Sequence, residues 1–478
     1  MADLHEDLHE FTALELHQLL QRREVTPLEA TEHYLDRIAR LDEPVGAFAH
    51  VTPDAARERA RVVERDVAHA APLWGMPIGD KDLHPRAGVP AGFGSRAFAG
   101  EVAEASDDLV QAVDVAGAVS LGKTATPEFG LPSYTEPLAG RPARNPWDLS
   151  LGAGGSSGGA AAAVAAGLLP FAPGSDGGGS VRIPAASCGL VGVKPSRGRV
   201  PSGAGIDRLA GLGVVGPIAR TVADAALLLD GLVAPRGYPA AHPFALRAPG
   251  QEGPYLGAAI RGEGRFQVGV MLDTPWDDFT DIRIDESARA ALDRAVALLD
   301  RAGHGVEELA PSPEPDYPAA FRTIWQAGAA SIPVPDARHD RLEPLTRWLV
   351  ERGRERSAAE LAGALSWLTG FERRTIARFA SVDVVLTPAL AMTPRPVGWY
   401  DAEDGEENFA QQVRFTPYTS FVNVAGLPAL TLPVHDTEAG LPMGVQLIGR
   451  PGGEATLFAL AAQLERASRR GRRRPPVW

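Results

Sequence analysis

The chain has 478 residues, of which 45% are hydrophobic and 22% charged, proportions that suit a folded globular protein and exclude a fibrous repeat or a disordered chain. Lys and Arg number 47 against 60 Asp and Glu, and the net charge of −13 repels a phosphate backbone, which argues against nucleic acid as a partner. Cys188 is the only cysteine, so neither an intrachain disulfide nor a cysteine-built metal site can form, and no metal or cofactor is expected.

Met1-Ala2-Asp3-Leu4-His5-Glu6-Asp7 is acidic and lacks the charged-then-apolar order of a secretory signal. Thr12 with Glu15 reads as a helix capping box. Thr26-Pro27-Leu28-Glu29 combines a second box with proline in the first turn of a helix expected to reach about Arg40. Ser106 is an N-cap candidate for an amphipathic helix running to Gly117, and the apolar residues 118–121 that follow read as a buried strand. Residues 160–166 are nearly all alanine and predict a closely packed helix. The longest apolar run, about 160–171, is shorter than the ~20 residues that span a bilayer, so a cytoplasmic chain without a membrane partner is expected. Cys188, between Ser187 and Gly189, reads as a small core residue.

Further buried strands are expected at 268–272, 382–386, 430–432 and 445–448, interleaved with helical segments, which is the alternation of an α/β fold. Residues 234–264 and 311–356 show weak periodicity and read as insertions or loops. The run Arg469-Arg470-Gly471-Arg472-Arg473-Arg474 reads as a solvated chain end.

The chemistry is concentrated in Gly154-Gly155-Ser156-Ser157-Gly158-Gly159 and Gly174-Ser175-Asp176-Gly177-Gly178-Gly179-Ser180-Val181-Arg182, two glycine-serine loops that bracket the alanine helix. Glycine lets backbone N–H groups face a bound group without a Cβ in the way, so such loops suit an oxyanion or a phosphate. Two other patterns compete. Gly117-Ala118-Val119-Ser120-Leu121-Gly122-Lys123-Thr124 satisfies the phosphate-loop pattern, but the would-be loop has strand character and Pro127 interrupts a following helix. Gly154-Gly155-Ser156-Ser157-Gly158 fits a nucleophile elbow with His304 or His435 as base, but residues 145–153 contain Pro146, Asp148 and Gly152 and make poor strand material.

With its doubled serine among glycines, small-residue helix and Gly-Ser-Asp-glycine-Ser-Arg order, the chain resembles the amidase-signature family, and the 24 positions between Ser156 and Ser180 match that family's spacing. The match extends to Gly75-Met76-Pro77-Ile78-Gly79-Asp80-Lys81-Asp82, to Gly122-Lys123-Thr124-Ala125-Thr126-Pro127-Glu128-Phe129-Gly130, to Asn145-Pro146-Trp147-Asp148, and to Gly426-Leu427-Pro428-Ala429 through Gly444-Val445-Gln446-Leu447-Ile448-Gly449. Ala125 and Ala153 depart from the usual residues without removing a reacting group. Acidic Asp80 beside Lys81 requires the two side chains to diverge, as neighbours on an extended segment do.

The resemblance implies an amidase-signature α/β fold, a large twisted mixed β-sheet core covered by helices on both faces. It implies a single domain over 1–478, with N-terminal helices (1–70), a signature core with the catalytic triad (71–232), a variable helical and loop segment that shapes the pocket (233–415) and C-terminal strands and helix (416–478). It implies an amidohydrolase with a Ser–cisSer–Lys triad, in which Ser180 is the nucleophile, Ser156 the bridge and Lys81 an uncharged base. Backbone N–H groups of Gly177, Gly178, Gly179 and Ser180 form the oxyanion hole, and Ser157, Ser175, Asp176 and Arg182 hold the loops. Gly130, Leu131, Tyr134, Trp325 and Trp399 are the candidate pocket residues. The expected partner is a small-molecule carboxamide, anilide, ester or carbamate, and a homodimer is admitted. The alternative that the resemblance allows is the glutaminase subunit of a tRNA-dependent amidotransferase, from which Thr126-Pro127-Glu128 points away.

Overall fold

The computed structural model describes residues 7–200, 206–233, 254–470 and 473–478. Residues 1–6, most of the 234–264 stretch, and Gly471 and Arg472 of the basic run lie outside the described residues.

The chain enters through two helices whose ends are set by short-range chemistry. Thr12 and Thr26 each accept from the backbone N–H of the third helical residue, and Glu15 and Glu29 bond back to the cap backbone, so both capping boxes form. The second helix, Pro27–Val45, runs past the expected stop near Arg40, because the buried series Leu35, Ile38, Asp42, Val45 continues the inward face. It ends where Gly46 turns left-handed (φ 66°) and Asp42 accepts the Ala47 N–H at 2.7 Å. The helix Asp108–Val115 is capped by Asp107, whose carboxylate accepts from Val110 N, and not by Ser106, whose hydroxyl serves Ala87 N instead.

Three groups of strands follow. A small sheet joins β1 (Phe48–Val51), β2 (Pro77–Lys81) and β3 (Val119–Thr124), with β3 in the centre, antiparallel to β1 and parallel to β2. β4 (Arg144–Asn145) and β5 (Asp148–Gly152) form a half-exposed ribbon. Residues 145–153 thus contain a short strand that their composition did not favour, since the turn at Pro146 and Trp147 supplies the reversal and Asn145 Oδ1 accepts the Trp147 N–H. The large sheet contains β6 (Phe171–Asp176), β7 (Val191–Lys194), β8 (Val214–Ala219), β9 (Gln267–Val270), β10 (Gly305–Glu308), β11 (Val384–Pro388), β12 (Ala429–Asp436) and β13 (Pro442–Gly449), in spatial order β10-β9-β11-β13-β12-β7-β8-β6. β9 is parallel to β10 and β11 and every other pair is antiparallel, so the sheet is mixed.

Period-two alternation splits this sheet between two cores. Val384, Leu386, Leu430 and Leu432 join the helices Glu286–Arg301 and Glu454–Ser468. Val385, Ala429 and Ile448 face the aromatic layer of Trp276, Tyr317, Phe321, Phe371 and Phe409 on the other side. Helices therefore cover both faces, as expected for an α/β fold. The segment 311–356, whose weak periodicity reads as an insertion or loops, is mainly helical: Tyr317–Ala330 buries Tyr317, Ala320, Phe321 and Ile324 along one face, and Pro344–Arg354 packs beside it. In the basic run, Arg469, Arg473 and Arg474 are exposed as expected, while Arg470 and Arg473 also bind Asp436 and Arg474 binds Glu10.

Candidate active site

Two kinds of close packing bring the loops together. The helix Gly158–Ala165 is wholly buried, and its first turn leaves no room for side chains. A Cβ on Gly159 would meet Ala125 N at 2.3 Å and one on Gly158 would meet Thr135 Oγ1 at 2.4 Å. These glycines of the first loop serve helix docking, which leaves the cis Gly155–Ser156 peptide to present Ser156 at the helix start. The Ser157 N–H donates to Ser180 O (3.2 Å) and Ser157 Oγ to Ser175 O (3.2 Å), so the second loop lies directly against the first.

Lys81 ends β2 with no solvent exposure. Its Nζ donates to Ser156 Oγ at 2.8 Å, to Ser175 Oγ at 2.9 Å and to Ser175 O at 3.4 Å. Its sequence neighbours turn elsewhere. Asp80 receives Arg86 Nε at 2.6 Å and Ser120 Oγ at 2.7 Å; burial raises its carboxyl, yet the Arg86 guanidinium wins and holds it below the usual range. Asp82 faces Lys123 at 3.7 Å, with its carboxyl raised by burial against the pull of that cation. The divergence required of Asp80 and Lys81 is present.

Asp176 and Arg182 organise the second loop. Both are fully buried and doubly bonded, Nε to Oδ2 and Nη2 to Oδ1 at 2.9 Å each, and the guanidinium also reaches Thr419 O, Gln446 Oε1 and Asn423 Oδ1. Burial would raise the Asp176 carboxyl, but Arg182 depresses it strongly. The same carboxylate accepts the Gly179 N–H at 2.7 Å and the Val181 N–H at 3.2 Å, folding residues 177–181 around it. Gly179 (φ 131°) packs so tightly that a Cβ would lie 2.5 Å from Thr419 Oγ1. Its N–H is therefore committed to Asp176 and drops out of the expected donor set. The N–H groups of Gly177, Gly178 and Ser180 meet no acceptor among the described residues.

Ser180 is nearly buried and sits where two cavities meet. Ser156, Ser175, Gly177, Gly130 and Leu131 line the first; Gly178 and Leu131 line the second; Trp325 lines both. Ser156 and Ser180 share a cavity wall, and no direct hydrogen bond joins their hydroxyls. Tyr134 and Trp399 line neither cavity, contrary to expectation: Tyr134 stacks on Tyr400 at 4.0 Å and bonds Asn408, and Trp399 packs edge-on to Tyr400. The elbow reading is also displaced, since Ser156 pairs with Lys81 while His304 stacks on Phe266 and accepts its N–H, and His435 lies in β12. Lys123 is enclosed in β3 against His84 O and Asp82, so its loop cannot hold a phosphate.

Sequence reasoning missed the direct contact of Ser175 with Lys81 and the roles of Asn423, Thr419 and Gln446 around Arg182. A polar residue inside an apolar run, as in Phe421-Val422-Asn423-Val424 and Val445-Gln446-Leu447, was the available signal, because a buried amide requires partners.

Comparison with known proteins agrees with this architecture. The family model described as Amidase matches residues 29–458. The chain is 40% identical to "Putative amidase AmiB2" of Mycobacterium bovis, covering 93% of this chain and 94% of that one. It is 33% identical to a Glutamyl-tRNA(Gln) amidotransferase subunit of Geobacter sp., covering 98% and 100%. The structure of 6-aminohexanoate cyclic dimer hydrolase superimposes with a TM-score of 0.87 at 30% identity, over 98% of this chain and 99% of that one. The family match over most of the chain, with relatives aligned nearly end to end, shows that the chain belongs to the Amidase family, the amidase-signature hydrolases of C–N bonds.

Proposed function

We propose that the chain hydrolyses a carboxylic amide through an acyl-enzyme on Ser180, with Ser156 and Lys81 relaying the proton. The observation that carries this reading is the sealed Lys81 amine 2.8 Å from Ser156 Oγ, on a wall shared with Ser180. A lysine without solvent contact disfavours its charged form, and a neutral amine has two hydrogens and one lone pair. In that neutral form, with Ser175 O and Oγ taking the two hydrogens, the 2.8 Å contact to Ser156 Oγ reverses and the hydroxyl donates to Nζ.

In the acylation step Ser180 Oγ bonds to the carbonyl carbon, its proton passes to Ser156, and that of Ser156 passes to Lys81. The carbonyl oxygen becomes an oxyanion facing the N–H groups of Gly177, Gly178 and Ser180; one such donor is typically worth ~10²–10³ in rate. Collapse breaks the C–N bond while the relay runs backward to protonate the amine. Water then repeats the sequence on the acyl-enzyme and releases the acid. We further propose a small-molecule amide as the partner and a cytoplasmic location.

The test is amide turnover by the purified chain alone, against Ser180→Ala, Ser156→Ala and Lys81→Ala. Loss of at least ~10³-fold in each is expected for residues acting as a unit. Ammonia release from glutamine only when other subunits are added would favour the amidotransferase reading that the Geobacter sp. relative suggests.

A further inference from the structure

The two cavities that meet at Ser180 share Leu131 and Trp325 as common walls. Among the described residues no charged side chain lines either one. The first is walled by Leu83, Phe129, Leu131, Leu212, Ile324 and Ala329. The second is walled by Trp276, Phe321, Phe409 and Val413. Three of its polar side chains are already engaged: Gln412 accepts from Ser133 N and donates to Asn408, Thr416 bonds Thr419, and Ser420 bonds both Trp276 Nε1 and Tyr317 OH.

From this lining, and resting on the Ser180 reading, we infer that the substrate is a neutral secondary carboxamide of the anilide type, apolar on both sides of the scissile bond. The orientation follows from proton delivery. Ser156 must protonate the leaving nitrogen, and Ser156 lines only the first cavity, so the amine substituent occupies the first and the acyl substituent the second. Among the described residues neither cavity offers a counter-charge to the α-carboxylate and ammonium of glutamine, whose desolvation cost an aryl group avoids. At Gly328 in the first cavity a new Cβ meets only Leu209, at 3.9 Å, so a methyl group is accommodated there and longer side chains extend from it along this wall.

The experiment is a crossover in KM. Acetanilide carries its ring on the amine, benzamide on the acyl side, benzanilide on both, and glutamine is the charged comparison. Gly328→Leu is expected to raise KM for acetanilide about tenfold and spare benzamide, and Val413→Phe to do the reverse, in line with the 10–200-fold worth of a methylene-sized pocket change. Gly328→Ala and Val413→Leu, smaller steps in the same directions, serve if the first pair does not fold. Equal effects of both variants on both substrates, a reversed pattern, or glutamine turned over as well as benzanilide overturns the inference. Hydrolysis surviving Ser180→Ala with the crossover intact would sink the nucleophile reading and leave the two-sided site standing. Hydrolysis abolished by Ser180→Ala without a crossover does the opposite.

Discussion

Asp80 and Lys81 are consecutive residues of β2 whose side chains serve opposite sides of the strand: Asp80 binds Arg86 and Ser120, while Lys81 binds Ser156 and Ser175. The alternation of an extended strand keeps a carboxylate one residue away from holding the amine as an ion pair. Asp80→Asn leaves Arg86 with Asp114 alone. The expected result is a loss of about 3 kcal/mol, the lower end for a broken buried pair, read by urea denaturation. The pH profile of kcat should keep its shape, because Lys81 keeps its own partners.

The Asp176–Arg182 pair supplies a second prediction. Removing the cation in Arg182→Leu strands a fully buried carboxylate and should cost about 3–5 kcal/mol. In the intact protein the Asp176 carboxyl titrates far below its unfolded value of about 3.9. Its stabilisation is thus complete above that unfolded value and is lost as pH falls toward the folded one. Acid unfolding followed by circular dichroism should begin below about pH 4 for the wild type and lose that dependence in Asp176→Asn.

Lys194 behaves in the opposite sense. Burial, aided by the nearby Arg182, lowers its amine to about 7, against about 10.4 in the unfolded chain. Between these values the unfolded state binds the extra proton, so stability rises with pH from 7 to about 10. Lys194→Met should flatten that slope and stabilise the fold at pH 7 by about 1–4 kcal/mol, as replacing buried ionic groups by apolar ones can. Thermal melting across this pH range measures it.

Gly130 lies beside Ser156 with φ 70°, and a Cβ there would stand 2.5 Å from Leu83 Cδ1 and 3.2 Å from Ser156 Oγ. Gly130→Ala should cost about 1–2 kcal/mol in backbone strain, and crowding of Ser156 Oγ by the new methyl should lower kcat as well. Steady-state kinetics beside a melting curve separates the two effects.

Legibility from sequence followed the range of the interactions. Capping boxes at Thr12 and Thr26, and the strands around Val268, Val384, Leu430 and Val445, depend on nearby residues and stood out. The helices of 311–356 did not, because Pro318, Gly328 and Pro344 interrupt a pattern that only packing on the aromatic layer completes. At the site, the residue types at 81, 156 and 180 were readable from their motif. That Gly179 spends its N–H on Asp176, and that Tyr134 turns to Tyr400, depend on contacts across the fold that no local pattern encodes.

The central claim is that Lys81, through Ser156, activates Ser180. Its most direct measurement is the rate of labelling by a fluorophosphonate as a function of pH, with the adduct located by peptide mass mapping. The account predicts a single phosphonyl group on Ser180, a rate that depends on pH in the wild type, and a slow rate without that dependence in Lys81→Met. An adduct on Ser156, or labelling that persists in Ser180→Ala, would contradict it.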